Sequence, residues 1–176
     1  LTGFVEAGWG NYDSFNSFSQ ASNITANGST RYYGAGMLGH QEFANGMYID
    51  GSLRAGRVES SYRSTDLENA LGHSTSFDSN RTYYSAHMGL GKTLKVSQQG
   101  SLDMYTKLFY TRQNADNITI FGDPFTFDAI TSRRARLGLR YSHKTSDTMQ
   151  IYAGLAFERE FNGKAKGSVH GLQMDA

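Results

Sequence analysis

The chain has 176 residues and a formal net charge of +1, with no Cys, one Pro and one Trp against 20 Gly, 11 Tyr and 11 Phe. That length suits one domain, and a cysteine-free chain has no disulfide framework, thiolate metal site or cysteine nucleophile. The near-neutral balance supplies no bulk attraction to nucleic acid, and no apolar run approaches the roughly 18 residues of a membrane helix; a membrane barrel stays open, because its inward face is polar.

In chain order, period-2 alternation predicts a first strand over 2–11, followed by a polar stretch over 13–30 rich in Ser, Asn and Gly. A second strand is expected over 32–43 and is linked only by Ala44-Asn45-Gly46 to a third over 47–58. In that third strand Met47, Ile49, Gly51, Leu53 and Ala55 face one way, and Tyr48, Asp50, Ser52, Arg54 and Gly56 the other. The polar segment 60–81 reads as a long loop, and a fourth strand over 82–96 turns through 97–100. The fifth, over 102–111, opposes Leu102, Met104, Thr106, Leu108 and Tyr110 to Asp103, Tyr105, Lys107, Phe109 and Thr111. A third long segment, 114–132, carries the single proline, Pro124. The sixth strand, 134–142, is Arg-Ala-Arg-Leu-Gly-Leu-Arg-Tyr-Ser, and the short link 144–147 leads to the seventh over 151–158. An eighth is expected to begin within 171–176.

Connections therefore alternate long and short. A soluble sandwich would explain the two-faced strands equally well, but it has no reason to gather its long loops at one end. A membrane barrel does, and strands of this length cross a hydrocarbon layer, which takes roughly 9–11 residues. On the outward parity Trp9, Tyr33, Tyr84 and Tyr110 fall near the long-loop end, with Phe161 beyond the last strand, while Phe43 and Tyr141 fall near the short turns. Such rings prefer the boundary between lipid and water. Outward Arg57, Arg112 and Arg159 also fall at the long-loop end, and Lys92 near the turns where it can snorkel. A midplane Arg on that face would cost roughly 2–4 kcal/mol.

The opposite parity holds Glu6, Asp50, Asp103, Glu158 and Glu160 against Arg54, Lys107, Arg134, Arg136 and Arg140. These ten residues are the expected pore lining. Their balance points to a hydrated pore with paired ions rather than a charge-selective filter, or to pairs that only hold the barrel's shape. Gly34, Gly36, Gly56, Gly89, Gly91, Gly138 and Gly154 stand among them and are expected to keep the lumen open.

Other motifs carry less. Gly34-Ala35-Gly36-Met37-Leu38-Gly39 fits G-x-G-x-x-G, and 86–93 fits a relaxed P-loop, but neither is followed by the helix that would hold phosphate. His40, His73, His87, His143 and His170 have no metal-like spacing. A Ser-His-Asp triad could assemble in space, yet no G-x-S-x-G elbow announces one. The sequons at Asn23, Asn27, Asn80 and Asn117 read as loop composition. No catalytic, cofactor or metal residues are assigned, and an enzyme ranks last.

Several ordered blocks resemble the β-domain of type V autotransporters: Gly8-Trp9-Gly10-Asn11-Tyr12, Arg31-Tyr32-Tyr33-Gly34-Ala35-Gly36 and the run 51–58, then 83–91 and 136–141. The closing 152–158 with Phe161-Asn162-Gly163-Lys164-Ala165 is the most specific. The resemblance implies an all-β, antiparallel transmembrane up-and-down β-barrel of twelve strands in a bacterial outer membrane, to which this chain supplies about seven. It also implies a translocator that anchors an N-terminal passenger and helps export it, without cofactors. Implied partners are outer-membrane lipid, the passenger with its linker helix, and the outer-membrane assembly machinery that reads a C-terminal aromatic strand; no nucleic acid is implied. Residues 1–176 are then a partial β-domain, truncated at both ends. The alternative is a porin- or adhesin-like barrel whose extracellular loops bind a ligand.

Overall fold

The computed structural model describes residues 1–17, 22–69, 71–164, 166–169 and 172–175. Seven long strands form one antiparallel meander, each paired with the next: β1 (Thr2–Asn16), β2 (Ile24–Glu42), β3 (Met47–Glu68), β4 (Ser74–Lys95), β5 (Gly100–Gln113), β8 (Ile130–Lys144) and β9 (Gln150–Glu160). The sheet curls into a half-barrel. A second sheet joins β6 (Asp116–Ile120), β7 (Asp123–Phe127), β10 (Lys166–Val169) and β11 (Leu172–Asp175) in the order β11-β10-β7-β6.

All seven expected strands are present, and the faces sort as the alternation predicts. The burial is the reverse of a soluble protein's. Val5 is 86% exposed, Leu53 69% and Leu155 82%, whereas Asp103 is only 8% exposed. Among the described residues the buried apolar side chains are Ala26, Tyr83 and Ile118. Among the described residues no element covers the outward face of Leu, Met, Ile and Phe. Removing such a surface from water is worth roughly 25 cal/mol per Å², and acyl chains can supply that burial.

The three short links are tight turns. In the first, the Phe43 amide donates to the Met47 carbonyl at 2.8 Å and Gly46 adopts a φ of 80°, a left-handed conformation in which a Cβ would strain the backbone. Val96 to Gly100 and Thr145 to Met149 close the other two in the same way.

The long links differ from expectation. β3 and β4 run 22 residues each, so most of 60–81 is strand, closed by a short turn after Glu68. The period-2 signal fades there because the face that packs is largely polar: Ser64, Thr75 and Ser79 are buried beside Tyr62 and Phe77, so no apolar alternation marks it. The segment 114–132 contains the β6–β7 hairpin, whose two-residue turn Phe121-Gly122 has positive φ at both positions. Residues 172–175 do not extend the main sheet as the expected eighth strand; they pair with β10 instead. His170, Gly171 and Ala176 lie outside the described residues.

The small sheet docks on β4. Asp116 accepts the Ser79 hydroxyl at 2.6 Å and the Asn80 amide at 3.2 Å, and Phe77 lies between Tyr62 and Phe127 with ring centroids 5.0 and 6.0 Å away. Arg81 sits 4.8 Å over the Phe127 ring. Nearby, Asp66 ties β3 to β2 by accepting the Thr25 amide at 2.6 Å together with the Thr25 hydroxyl. Those hydrogen bonds hold the Asp66 carboxyl below the ordinary aspartate range. Because its folded pKa is depressed, the tie is fully present above the unfolded aspartate value of about 3.9. It weakens as pH falls through the lower, folded value. Hydrogen exchange should therefore find the Thr25 amide losing protection on acidification while strand centres stay protected.

Candidate pore lining

All ten expected residues lie on one face of the curled sheet, and the cross-strand register decides their partners. Arg54 on β3 donates to Glu6 on β1 at 2.9 Å. Lys107 on β5 reaches Asp50 on β3 at 3.0 Å, passing over β4 where Gly89 stands between them in the same register row. A Cβ on Gly89 would stand 2.6 Å from an Asp50 carboxylate oxygen, so a side chain here would block the crossing. Arg140 lies 3.5 Å from Asp103, its direct cross-strand neighbour. Arg134 and Arg136 grip the two oxygens of Glu158 at 2.9 and 2.6 Å. Glu160 lies 4.0 Å from Arg134, accepts the Arg133 and Asn162 amides at 2.8 and 2.9 Å, and also takes the Ser132 hydroxyl. Charge is thus neutralised pair by pair. Mostly half-exposed, each of these pairs adds little stability alone, but together they fix the side chains against the wall.

Glycines work differently from the open-lumen expectation. One register row reads Tyr48, Gly91, Tyr105, Gly138 across β3, β4, β5 and β8, and each tyrosine ring lies flat on the glycine of the next strand. Another reads Glu6, Gly34, Gly56, Tyr83; the Tyr83 ring crosses both glycines and its hydroxyl donates to Glu6. The space a missing Cβ leaves is therefore filled by a ring laid against the wall, which keeps the side chain out of the centre. Gly56→Val sets a Cβ against the Tyr33 carbonyl of β2 as well as 2.6 Å from the Tyr83 hydroxyl, so both the neighbouring backbone and the ring must shift. The expected loss is about 1–3 kcal/mol, read as a lower urea midpoint of the full-length protein in vesicles.

The alternation alone does not identify His87, Tyr48 or Tyr83 as partners of these charges. His87 donates from Nε2 to Asp50 at 2.8 Å, which leaves Nδ1 of a neutral ring to accept the Ser52 hydroxyl. Tyr48 donates to Asp103 at 2.9 Å. Inward parity was the available signal for all three, but parity does not say which strand's charge a side chain meets. Ser52, His87 and Asp50 are the residue types of a hydrolytic triad, in the opposite ring orientation, with Asp at Nε2 and Ser at Nδ1. Lys107 already neutralises the carboxylate that would stabilise an imidazolium. Gly34 to Gly39 and 86–93, the two phosphate-like motifs, lie inside β2 and β4 with no helix after them. No group of three or more metal-ligating side chains converges among the described residues.

On the outward face, Trp9 stands opposite Arg31, Tyr33 opposite Arg57, Tyr84 opposite Arg112 and Tyr110 opposite Arg133. Between that level and Lys92 near the turns, the outward positions of the seven strands carry no charge. The band has the polarity of a bilayer core.

Comparison with known proteins agrees with this geometry. A family model described as the autotransporter beta-domain matches residues 3–176. No curated protein matches. Among solved structures, the crystal structure of the beta domain of the Bordetella autotransporter BrkA superposes with a TM-score of 0.63 at 19% identity, over 96% of this chain and 79% of that one.

Proposed function

The chain belongs to the autotransporter β-domain family, outer-membrane barrels that translocate a passenger to the cell surface, and from that premise we propose that its ten inward charged residues line the hydrated route the passenger takes. One observation carries the reading: an uncharged, exposed band lies on the outward face, while Glu6, Asp50, Arg54, Asp103, Lys107, Arg134, Arg136, Arg140, Glu158 and Glu160 all face inward and are mutually neutralised. A passenger meets a wall of satisfied dipoles and ion pairs that neither traps one sign of charge nor offers an apolar surface to stick to. The partners in this reading are the passenger with its linker inside, lipid outside, and the outer-membrane assembly machinery. The protein's own role is export rather than catalysis.

We also read 1–176 as a partial β-domain, truncated at both ends. Among the described residues β1 and β9 each have a single neighbour in the main sheet, and a free strand edge is not tolerated in lipid. Further strands of the full-length protein would pair with these edges and close the barrel.

Cysteine cross-linking of a passenger arrested in transit tests the route. Lys107→Cys and Arg136→Cys should capture the passenger or its linker, and outward Leu108→Cys should not. Arrested export with cross-links to none of the inward positions would exclude this face as the route.

A further inference from the structure

The basic residues of the proposed lining and the outward arginines handle their charge differently. Every basic residue of the pore lining has a carboxylate within 4.0 Å. On the outward face Arg31 is neutralised by Glu59 at 2.5 Å. Exposed Arg57, Arg112, Arg133 and Arg159 have no carboxylate at ion-pair distance among the described residues. Unneutralised cations in that position call for an anionic partner from outside the protein.

Their placement says which. Arg112 lies opposite Tyr84, which faces Ala55 on β3, two positions below Arg57. Arg133 faces Tyr110, two positions below Arg112, and Arg159 faces Ala135, two positions below Arg133. The line is oblique to the register rows, and the tight turns descend the same way. The Thr93 amide meets Gly46 of the first turn while β4 runs on past it, and the Lys144 amide meets Gln99 of the second. Strands in a barrel tilt, and tilt converts such a stagger into a level ring. Each of Arg57, Arg112 and Arg133 is also the register partner of an interfacial tyrosine, and Arg159 lies 5.4 Å over the Phe161 ring. The rings mark the depth of the lipid boundary; a guanidinium beside them reaches the headgroup level, where the available anions are phosphates. Arginine binds phosphate in a two-pronged, charge-assisted contact.

We infer that Arg57, Arg112, Arg133 and Arg159 form a belt that binds the phosphate groups of anionic lipid in the outer leaflet, on the long-loop side. This rests on the membrane reading above and adds to it the headgroup chemistry, the leaflet and the residues.

The test uses the full-length protein in phosphatidylcholine vesicles, with bis-phosphorylated lipid A or the same glycolipid stripped of phosphate as the added component. Wild type should retain the phosphorylated glycolipid through detergent extraction about tenfold better than a variant with all four arginines changed to Gln. Both should retain the phosphate-free form equally poorly. A variant with the four changed to Lys, which keeps the charge, guards against misfolding and should retain an intermediate amount. Equal retention by wild type and the Gln variant overturns the belt, as does equal retention of both glycolipids. Complete displacement by inorganic phosphate would make it a free-anion site and overturn the lipid assignment. Failure of wild type to insert into neutral vesicles would instead remove the membrane reading, and the belt with it.

Discussion

Leu139→Arg in the full-length protein should lower its unfolding free energy in phosphatidylcholine vesicles by about 2–4 kcal/mol. Leu139 points outward on β8, midway between Arg133 at the long-loop boundary and the turn that follows Lys144, and it pairs with outward Leu155 on β9. Among the described residues a guanidinium there has no carboxylate at its own depth on the outward face, and it is too deep to snorkel to either boundary without bending the chain or thinning the bilayer. The control is the same substitution at the boundary. Tyr110→Arg, at the level of Arg133, should cost only about 0–1 kcal/mol from the lipid, plus whatever the lost ring contributed. Urea unfolding of both variants measures the difference. If they cost the same, the outward face does not meet hydrocarbon at its centre.

Asp50→Leu should be the most damaging single change on the inward face, at about 2–3 kcal/mol. The Asp50 side chain is 9% exposed and is shared by Lys107 at 3.0 Å and His87 at 2.8 Å. Removing it leaves an ammonium beside an imidazole with no counter-charge. The lining is partly hydrated, so the cost falls below that of a pair sealed in a dry core. Lys107→Met should restore part of the loss in the double variant, because no charge is then left unpaired. A strictly additive double variant would mean that Lys107 and Asp50 do not interact in the folded barrel. Glu158 offers a contrast, since its two arginines and its carboxylate are each about a third exposed and water can replace what a substitution removes.

The family resemblance and its translocator role are legible in the ordered sequence blocks. So are the seven strands, both faces and the end at which the turns are tight. Parity is a local property: with successive side chains on opposite sides, Leu137 and Leu139 are committed to one face and Arg134, Arg136 and Arg140 to the other whatever the neighbours do. Trp9, Tyr33, Tyr84 and Tyr110 likewise declare their level by distance along their own strands.

What lay beyond sequence reasoning is set between strands. Register determines that Lys107 meets Asp50 across Gly89, that Tyr83 reaches Glu6 over two glycines, and that His87 falls between Ser52 and Asp50. A shift of one pairing position would reassign these partners without altering the composition of the strands. The same limit hid the upper halves of β3 and β4: with polar Ser64, Thr75 and Ser79 on the face that packs, alternation no longer distinguishes a strand from a polar loop, and only the backbone hydrogen bonds to a neighbouring strand do. It also hid the pairing of residues 172–175 with β10, since a short strand's choice of partner depends on which edge lies within reach. Face and level are written residue by residue along the chain; partners exist only once two strands have chosen an offset, and that choice belongs to the folded sheet.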